Sequence, residues 1–335
     1  MINFVYLDRN GSFRAIDCFK ILMAIIVIAI HTNPQNSFGN ATLKFLFSNI
    51  YEIAVPFFFT ASGFLVWNKI HNASKEDKLV RIKKWISKTF RLYWVWTLIY
   101  LPFTIYGFYL DGIGIVKSII IFFRNFLLVG QNFWSWPLWY LLGMLVAGLI
   151  LYIIVKYEIR DYVMYSIAFV LAIIGALLNY FHEYGVMGII TEPYFKLFYT
   201  TRNGFFEGFP YIVIGIAVAS HGVLRSKVIL YGILLVSFII HMMEIKLATF
   251  FMTYALFSIV MLFDFKDRKD YFYRNCRLTS TILYFVHMIW VGCLTLIYPQ
   301  LNPFAMFVLT LLLSFVTSRI VLLYKETKII KYCFR

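Results

Sequence analysis

Long apolar segments recur along the whole chain, and they constrain its fold more than any other feature of the sequence. Each is about 15 to 20 residues long, the length of helix that crosses about 30 Å of hydrocarbon. Inside a bilayer every backbone polar group must be bonded within the protein, and segments of this kind achieve that as helices. With 61% hydrophobic and 14% charged residues, the chain does not have the composition of a soluble globular protein. We therefore predict an all-α polytopic transmembrane bundle.

The apolar pattern predicts about ten membrane helices. They are placed at residues 15–33, 49–67, 91–109, 136–155, 162–180, 202–220, 227–243, 247–263, 278–298 and 303–323. A further apolar segment, residues 113–130, contains Lys117 and Arg124 and fits either an eleventh span or a helix in the interface. Basic residues concentrate on the cytoplasmic side of membrane proteins. Ten spans with both termini cytoplasmic place most basic residues inside, whereas an eleventh span would move the cluster 266–277 outside.

The formal net charge of +15 is spread over the predicted cytoplasmic segments. The lipid bilayer and a soluble anionic ligand are therefore the expected partners, and nucleic acid is not. The four cysteines form no Cys-x-x-Cys pair, and no cluster of potential ligands has metal-binding spacing. We expect free thiols and no metal. The connections between spans are short and contain no low-complexity linker, so we expect one domain over residues 1–335.

The first predicted span carries three ionisable residues, Asp17, Lys20 and His31. Lys20 and His31 are separated by about three helical turns plus about 20°, so they share one helix face at a distance of about 16 Å. Asp17 lies one turn before Lys20 on the same side. Ionisable groups inside a membrane are costly and mark functional sites by default. The plainer alternative is that Lys20 reaches the interface and His31 marks the helix end.

The most basic segment, residues 69–91, leads into the third span. Lys84, Lys88 and Arg91 have helical spacing there, which favours a binding site for phosphate groups. The alternative is an ordinary cytoplasmic loop of the kind that most multi-span proteins have.

Two further groups of polar residues lie at the predicted outer face. Glu52 stands near the outer end of the second span, where it either binds substrate or only faces water. Arg202 and Asn203 open the sixth span and Glu207 follows one to two turns deeper. They form either an outward vestibule for a carboxylate or sugar hydroxyl, or an internal pair between Arg202 and Glu207.

Other polar positions within the spans favour structural roles. Pro56 is expected to kink or unwind the second span, and Ser62-Gly63 is expected to mark close helix packing. His287 is expected to be a buried neutral histidine bonded to a backbone carbonyl. The remaining histidines look incidental, namely His71, His182, His221 and His241.

Taken together, these motifs resemble the acyltransferase-3 family of bacterial membrane proteins over essentially the whole chain. The family's first helix carries Asp-x-x-Arg followed by His, matched here by Asp17, Lys20 and His31. Further matches are VPFFFTASGFLVW, the basic approach to the third span, LWYLLGMLVAG and YFVHM. Two departures are the lysine at position 20, which lacks the bidentate fork of arginine, and Tyr93 in place of a frequent proline.

Within this family the chain is most similar to the membrane module of VanT-type serine racemases of vancomycin resistance. The likeness rests on IAIHTNP, VPFFFTASGF and TRNGFFEGFPYIVIG. In those proteins a soluble racemase barrel follows the last helix. This chain stops at Arg335, so we expect either a separate membrane module without a racemase domain or a module cut from a longer protein.

The resemblance implies an enzyme of the bacterial cytoplasmic membrane that moves an acyl group, usually acetyl, from cytoplasmic acyl-CoA to a hydroxyl acceptor outside. Lys20, Lys84, Lys88 and Arg91 would hold the CoA phosphates. His31 would be the general base, with Asp17 positioning Lys20.

The likeness to serine racemases implies a rival function, an L-serine uptake or delivery module. Arg202 would bind the carboxylate of serine, and Glu52 or Glu207 its ammonium group. A catalytically inactive scaffold is a third alternative, and a homodimer is a further assembly that the sequence leaves open.

Overall fold

The computed structural model describes residues 4–5, 13–263 and 270–334 of the chain, and helices dominate them. The helices are α1 (Arg14–Thr32), α2 (Ala41–Tyr51), α3 (Ala54–Ile70), α4 (Lys75–Leu110), α5 (Ile115–Arg124), α6 (Trp139–Lys156), α7 (Asp161–Glu183), α8 (Gly188–Phe198), α9 (Phe209–His221), α10 (Lys227–Met242), α11 (Ala248–Met261), α12 (Asp270–Ile297), α13 (Pro303–Leu323) and α14 (Lys328–Phe334). Two short strands, β1 (Phe4–Val5) and β2 (Val223–Leu224), pair antiparallel.

Seven helical segments within these residues are long and apolar enough to cross a membrane. They are Arg14–Thr32, Ala41–Ile70, Trp136–Lys156, Asp161–Glu183, Gly204–His221, Tyr271–Ile297 and Pro303–Leu323. The all-α, multi-span character of the protein is therefore confirmed. The count of ten and the orientation of the termini stay predictions. The three other predicted spans coincide with the short apolar helices α10 and α11 and with the second half of α4, where tyrosines and tryptophans lower the mean hydropathy.

The helices form two compact units. Unit 1 consists of residues 1–61 and 221–335, and unit 2 of residues 62–220. Unit 1 therefore combines an N-terminal and a C-terminal segment of this sequence. Among the described residues, the four cysteines form no disulfide with one another.

In unit 1, α1 packs against α12 and α13, and α10 packs against α11. Apolar side chains of α1 line this contact because they recur on one face, and Ile16 and Ile28 are fully buried. Aromatic rings add to the core, including Phe57 and Phe257 with centroids 5.5 Å apart. Helix α1 ends at Asn33, which adopts the left-handed conformation at φ 49° and donates its N–H to the carbonyl of Ala29.

In unit 2, α4 packs against α6, and a π-helical turn at Gly204–Gly208 packs against α6 and α7. Ser62 and Tyr140 share a hydrogen bond of 3.1 Å. A Cβ atom added at Gly63 would collide with the backbone of Ile212. The prediction that Ser62-Gly63 marks close helix packing is therefore confirmed.

Three local predictions take a different form in the structure. The break in the second span lies at residues 52–53, between α2 and α3, and Pro56 is the third residue of α3. Proline costs little there, because the first N–H groups of a helix have no intrahelical partner. The basic segment 69–91 is mostly the first part of α4, a single helix of 36 residues. Segment 113–130 forms the short helix α5 and a π-helical turn at Asn125–Val129.

Candidate functional site

Asp17 of α1 forms a bidentate ion pair with Arg277 of α12. Its Oδ1 accepts a hydrogen bond from Nε of Arg277 at 2.9 Å, and its Oδ2 accepts one from Nη2 at 2.7 Å. The Asp17 side chain is 3% exposed, whereas that of Arg277 is 55% exposed. This bidentate pair satisfies a buried carboxylate and joins the first turn of α1 to α12. Helical spacing places Lys20 one turn from Asp17 and gives no indication of Arg277, which is distant in the chain.

His31 lies in the last turn of α1, and its ring faces the ring of His287 on α12. The two centroids are 5.3 Å apart and the planes are inclined by 31°. Because Asp17 meets Arg277 and His31 meets His287, α1 and α12 run parallel along this contact. The histidine pair and the ion pair therefore mark two ends of one helix-helix interface.

His287 is fully buried, and its Nδ1 lies 3.0 Å from the carbonyl oxygen of Leu283. The prediction of a buried histidine bonded to a backbone carbonyl is confirmed. Because a carbonyl can only accept, Nδ1 carries the proton and Nε2 keeps a lone pair. Among the residues that the structure describes, Nε2 of His287 has no hydrogen-bond partner. The ring of Tyr284 also lies near it, at a centroid distance of 6.4 Å.

Glu52 is engaged by two basic side chains of unit 1. Its Oε2 lies 3.5 Å from Nε2 of His241, and its Oε1 lies 3.6 Å from Nζ of Lys246. His241 is 1% exposed, whereas Glu52 and Lys246 are each nearly half exposed. From the sequence His241 looks incidental, since it stands at the end of an apolar helix far from Glu52 in the chain, whereas the structure places it beside Glu52.

The basic residues of α4 form an open face of unit 2. Lys84 and Lys88 are exposed, and Arg91 is half-buried. Near the start of the helix, Lys75 pairs with Glu158 at 3.4 Å. The cations predicted to bind phosphate thus lie one helical turn apart on the surface of this unit.

Asn203 has a structural role in unit 2. Its Oδ1 accepts hydrogen bonds from the backbone N–H groups of Phe205 and Phe206, and so begins the π-helical turn. Its Nδ2 donates to the hydroxyl of Tyr194 at 2.8 Å. Burial raises the pKa of Tyr194 to about 12, so this hydroxyl stays protonated. Little of the Asn203 amide is left for a substrate.

The other two residues of this predicted vestibule differ in exposure. Arg202 is exposed at the start of the turn, and Glu207 is half-buried within it. Arg202 alone of the three presents an open charged group to solvent. Within the described parts of the chain, no three His, Cys, Asp or Glu side chains come together as a metal site, and the prediction of a metal-free protein stays a prediction.

Comparison with known families decides the class of this protein. Residues 13–323 match the acyltransferase domain family. The chain belongs to this family. The chain is also 31% identical to an amino-acid racemase of Enterococcus faecalis, in an alignment that covers 62% of this chain. It is 26% identical to a serine/alanine racemase of Enterococcus gallinarum, in an alignment that covers 64% of this chain. These alignments cover 28% and 30% of the two relatives. No solved structure matches significantly.

Both the predicted family and the predicted likeness to racemases are confirmed. Within the acyltransferase domain, the predicted site residues divide between the two units. Unit 1 holds Asp17, Lys20, His31 and Glu52, and unit 2 holds Lys84, Lys88, Arg91, Arg202, Asn203 and Glu207. The structure adds Arg277, His287, His241 and Lys246 as direct neighbours of the residues in unit 1.

Proposed function

We propose that this protein is a membrane acyltransferase that moves an acyl group, acetyl in the first instance, from cytoplasmic acyl-CoA to an extracytoplasmic hydroxyl acceptor. The bacterial cytoplasmic membrane is its proposed location. The family supports acyl transfer in general. The single observation that supports the chemistry is the position of His31, half-buried at the end of α1 with its ring against His287.

His31 acts as general base in the proposed reaction. Imidazole suits this role because it changes protonation state near neutral pH. One ring nitrogen takes the proton of the acceptor hydroxyl while the oxygen attacks the thioester carbonyl. The carbon–sulfur bond then breaks, and CoA leaves as a thiolate that takes the proton back from the imidazolium. No covalent acyl-enzyme is needed, and the step requires no other reactant.

The donor is proposed to bind through its phosphates. The exposed cations Lys84 and Lys88 of α4 are suited to this, with Arg91 one turn further along the helix. Lys20, half-buried on α1, is a separate candidate for a phosphate contact. Because lysine presents a point charge, Lys20→Arg is expected to keep or improve donor affinity.

The test is acyl transfer by variants of His31. Membrane vesicles from expressing cells are given radiolabelled acetyl-CoA, and label is counted in the envelope fraction against vesicles without the protein. His31→Ala and His31→Gln are expected to lose transfer about 10²- to 10⁴-fold, the range of general base catalysis. Binding of acetyl-CoA to the purified variants should stay unchanged. Full transfer by both variants would remove His31 from the mechanism.

The similarity to a serine/alanine racemase supports a second candidate, delivery of L-serine across the membrane. In this reading Arg202, exposed at the start of the π-helical turn, binds the carboxylate of serine. Glu207 on the same turn binds the ammonium group. Calorimetry with L-serine on the wild type and Arg202→Ala separates the candidates. Serine binding that Arg202→Ala abolishes, with no acetyl transfer by the wild type, would establish delivery and overturn acyl transfer.

A further inference from the structure

The environment of His287 suggests a function beyond support of α12. The residue is fully buried in the contact between α1 and α12. A polar side chain in such a place needs hydrogen-bond partners from the protein itself. One nitrogen has such a partner, the carbonyl of Leu283. The other, Nε2, is buried and unpartnered among the described residues. A buried acceptor left without a bond lowers folding stability.

The ring of His31 lies beside the ring of His287, with centroids 5.3 Å apart. Rings at this separation reach hydrogen-bonding distance when a nitrogen of one turns toward a nitrogen of the other. The Leu283 carbonyl holds the ring of His287. His31 is half-buried and lies in the last turn of its helix.

We propose that His287 is the positioning residue of the acyl-transfer base. Its Nε2 accepts a hydrogen bond from the ring N–H of His31 that faces away from the acceptor. This bond fixes the tautomer of His31, so the nitrogen that faces the acceptor hydroxyl carries the lone pair. The same bond holds the imidazolium that forms when His31 takes the proton. A buried neutral histidine thus fills the place that a carboxylate has in a catalytic triad.

This inference rests on the proposed function and assigns the orientation of its base. The transferred proton stays on His31 throughout, and His287 gains and loses none. His287 keeps its own proton on Nδ1, where the Leu283 carbonyl holds it. The proposal therefore requires only the lone pair of Nε2. Two substitutions of His287 by amide side chains test this requirement.

Asparagine and glutamine each reproduce one nitrogen of the imidazole. In His287→Asn the amide reaches the position of Nδ1 and can still donate to Leu283, but nothing replaces Nε2. In His287→Gln the amide reaches the position of Nε2 and can accept a bond from His31. Both variants are neutral and polar, so they form a matched pair. A purely structural role predicts that Asn is the better replacement, and a positioning role predicts that Gln is.

The experiment measures acetyl transfer per folded protein in the vesicle assay, with folding judged by elution as one species in detergent. We expect His287→Asn to lower turnover about 10- to 100-fold, as loss of an orienting partner typically does. His287→Gln should retain more activity than Asn, and the affinity for acetyl-CoA should change in neither. Activity of Asn equal to or above that of Gln would overturn the proposal.

A double variant separates this proposal from the proposed function. If His287 acts through His31, then His287→Asn should cause no further loss in a His31→Ala background, because the two act as a unit. An additive further loss would overturn the positioning role. If His31→Ala alone keeps full transfer, the general base has been misassigned. If His31→Ala is inactive while His287→Asn is fully active, only the positioning role fails.

Discussion

The carboxylate of Asp17 and the guanidinium of Arg277 form an asymmetric pair, because only one of them is buried. Arg277 can turn to solvent if its partner is lost. Asp17 has no such freedom at 3% exposure. The two truncations should therefore differ in their cost, although they break the same two hydrogen bonds.

We predict that Arg277→Ala destabilises the protein more than Asp17→Ala does. Arg277→Ala leaves a buried carboxylate unpaired, at a cost of about 3 to 5 kcal/mol. Asp17→Ala leaves a half-exposed cation, and its cost should stay near the about 1 to 3 kcal/mol of lost charged hydrogen bonds. Thermal unfolding in detergent gives the order of the midpoints. Equal unfolding midpoints of the two variants would contradict this prediction, because they would show that loss of the exposed arginine and loss of the buried carboxylate cost the same stability.

At the residue scale the sequence predicts which side chains are candidates for a site better than it predicts which residues contact them. Asp17, His31 and His287 could be singled out because ionisable groups inside apolar segments are costly. Their partners could not be predicted, because Asp17 and Arg277 are 260 residues apart and helical periodicity carries no information about which helix lies beside which. For the same reason Glu52 is a candidate from the sequence, whereas its neighbour His241 looks incidental.

At the scale of helices, the close approach of α3 and α9 depends on the absence of a side chain at Gly63. At Gly63 the backbone of Ile212 occupies the space where a Cβ would stand. Backbone cannot move aside as the end of a flexible side chain can. Gly232 on α10 is the opposite case, with nothing within 4 Å of an added Cβ.

We predict opposite effects of alanine at these two glycines. Gly63→Ala should force α3 and α9 apart and lower stability by about 1 to 3 kcal/mol, as overpacking does. Gly232→Ala should raise stability by up to about 1 kcal/mol, because alanine favours the helix. Unfolding midpoints in detergent test both. A Gly63→Ala variant as stable as the wild type would show that the two helices separate without cost.

The exposed cations of α4 allow a test of donor binding on a single helix. Lys88→Ala, alone or with Arg91→Ala, should weaken binding of acetyl-CoA and make it less sensitive to salt, because exposed charge pairs are screened. Lys83→Ala removes the same charge from a position turned by about 140° and is the control. Calorimetry at low salt measures both. Equal affinities of the Lys83 and Lys88 variants would exclude a localised phosphate site.

The elements themselves could be predicted from apolar length, and the structure has helices at each predicted span. Their ends could not be predicted as well. The break at residues 52–53 precedes Pro56, because the chain uses the proline to begin α3 rather than to bend it. The two π-helical turns depend on tertiary contacts, such as that of Gly204 with Val146, and have no local sequence signal.

At the scale of the whole molecule, the length of α4 bears on the membrane topology. Its 36 residues correspond to about 54 Å, well beyond the about 30 Å of hydrocarbon in a bilayer. If its apolar half crosses the membrane, its basic start and its end must emerge on opposite sides. Positive charge near the start favours the cytoplasm for that end.

We predict that cysteines at the two ends of α4 react from opposite sides. In a cysteine-free background, Asp77→Cys should resist an impermeant maleimide added to intact cells, and Asp111→Cys should react. Both positions are exposed. In inside-out vesicles the pattern should reverse. Labelling of Asp77→Cys from outside would invert the topology and exclude a cytoplasmic donor site on α4.

The bond between Asp17 and Arg277 also has a consequence for biogenesis. A ribosome adds about 5 to 20 residues per second, so the 260 residues between the partners take about 13 to 52 seconds to synthesise. During that interval α1 has left the ribosome with a carboxylate whose permanent partner does not yet exist. Until α12 is made, the Asp17 carboxylate needs another partner, such as water at the membrane surface. The contact between α1 and α12 can therefore form only long after α1 has been synthesised.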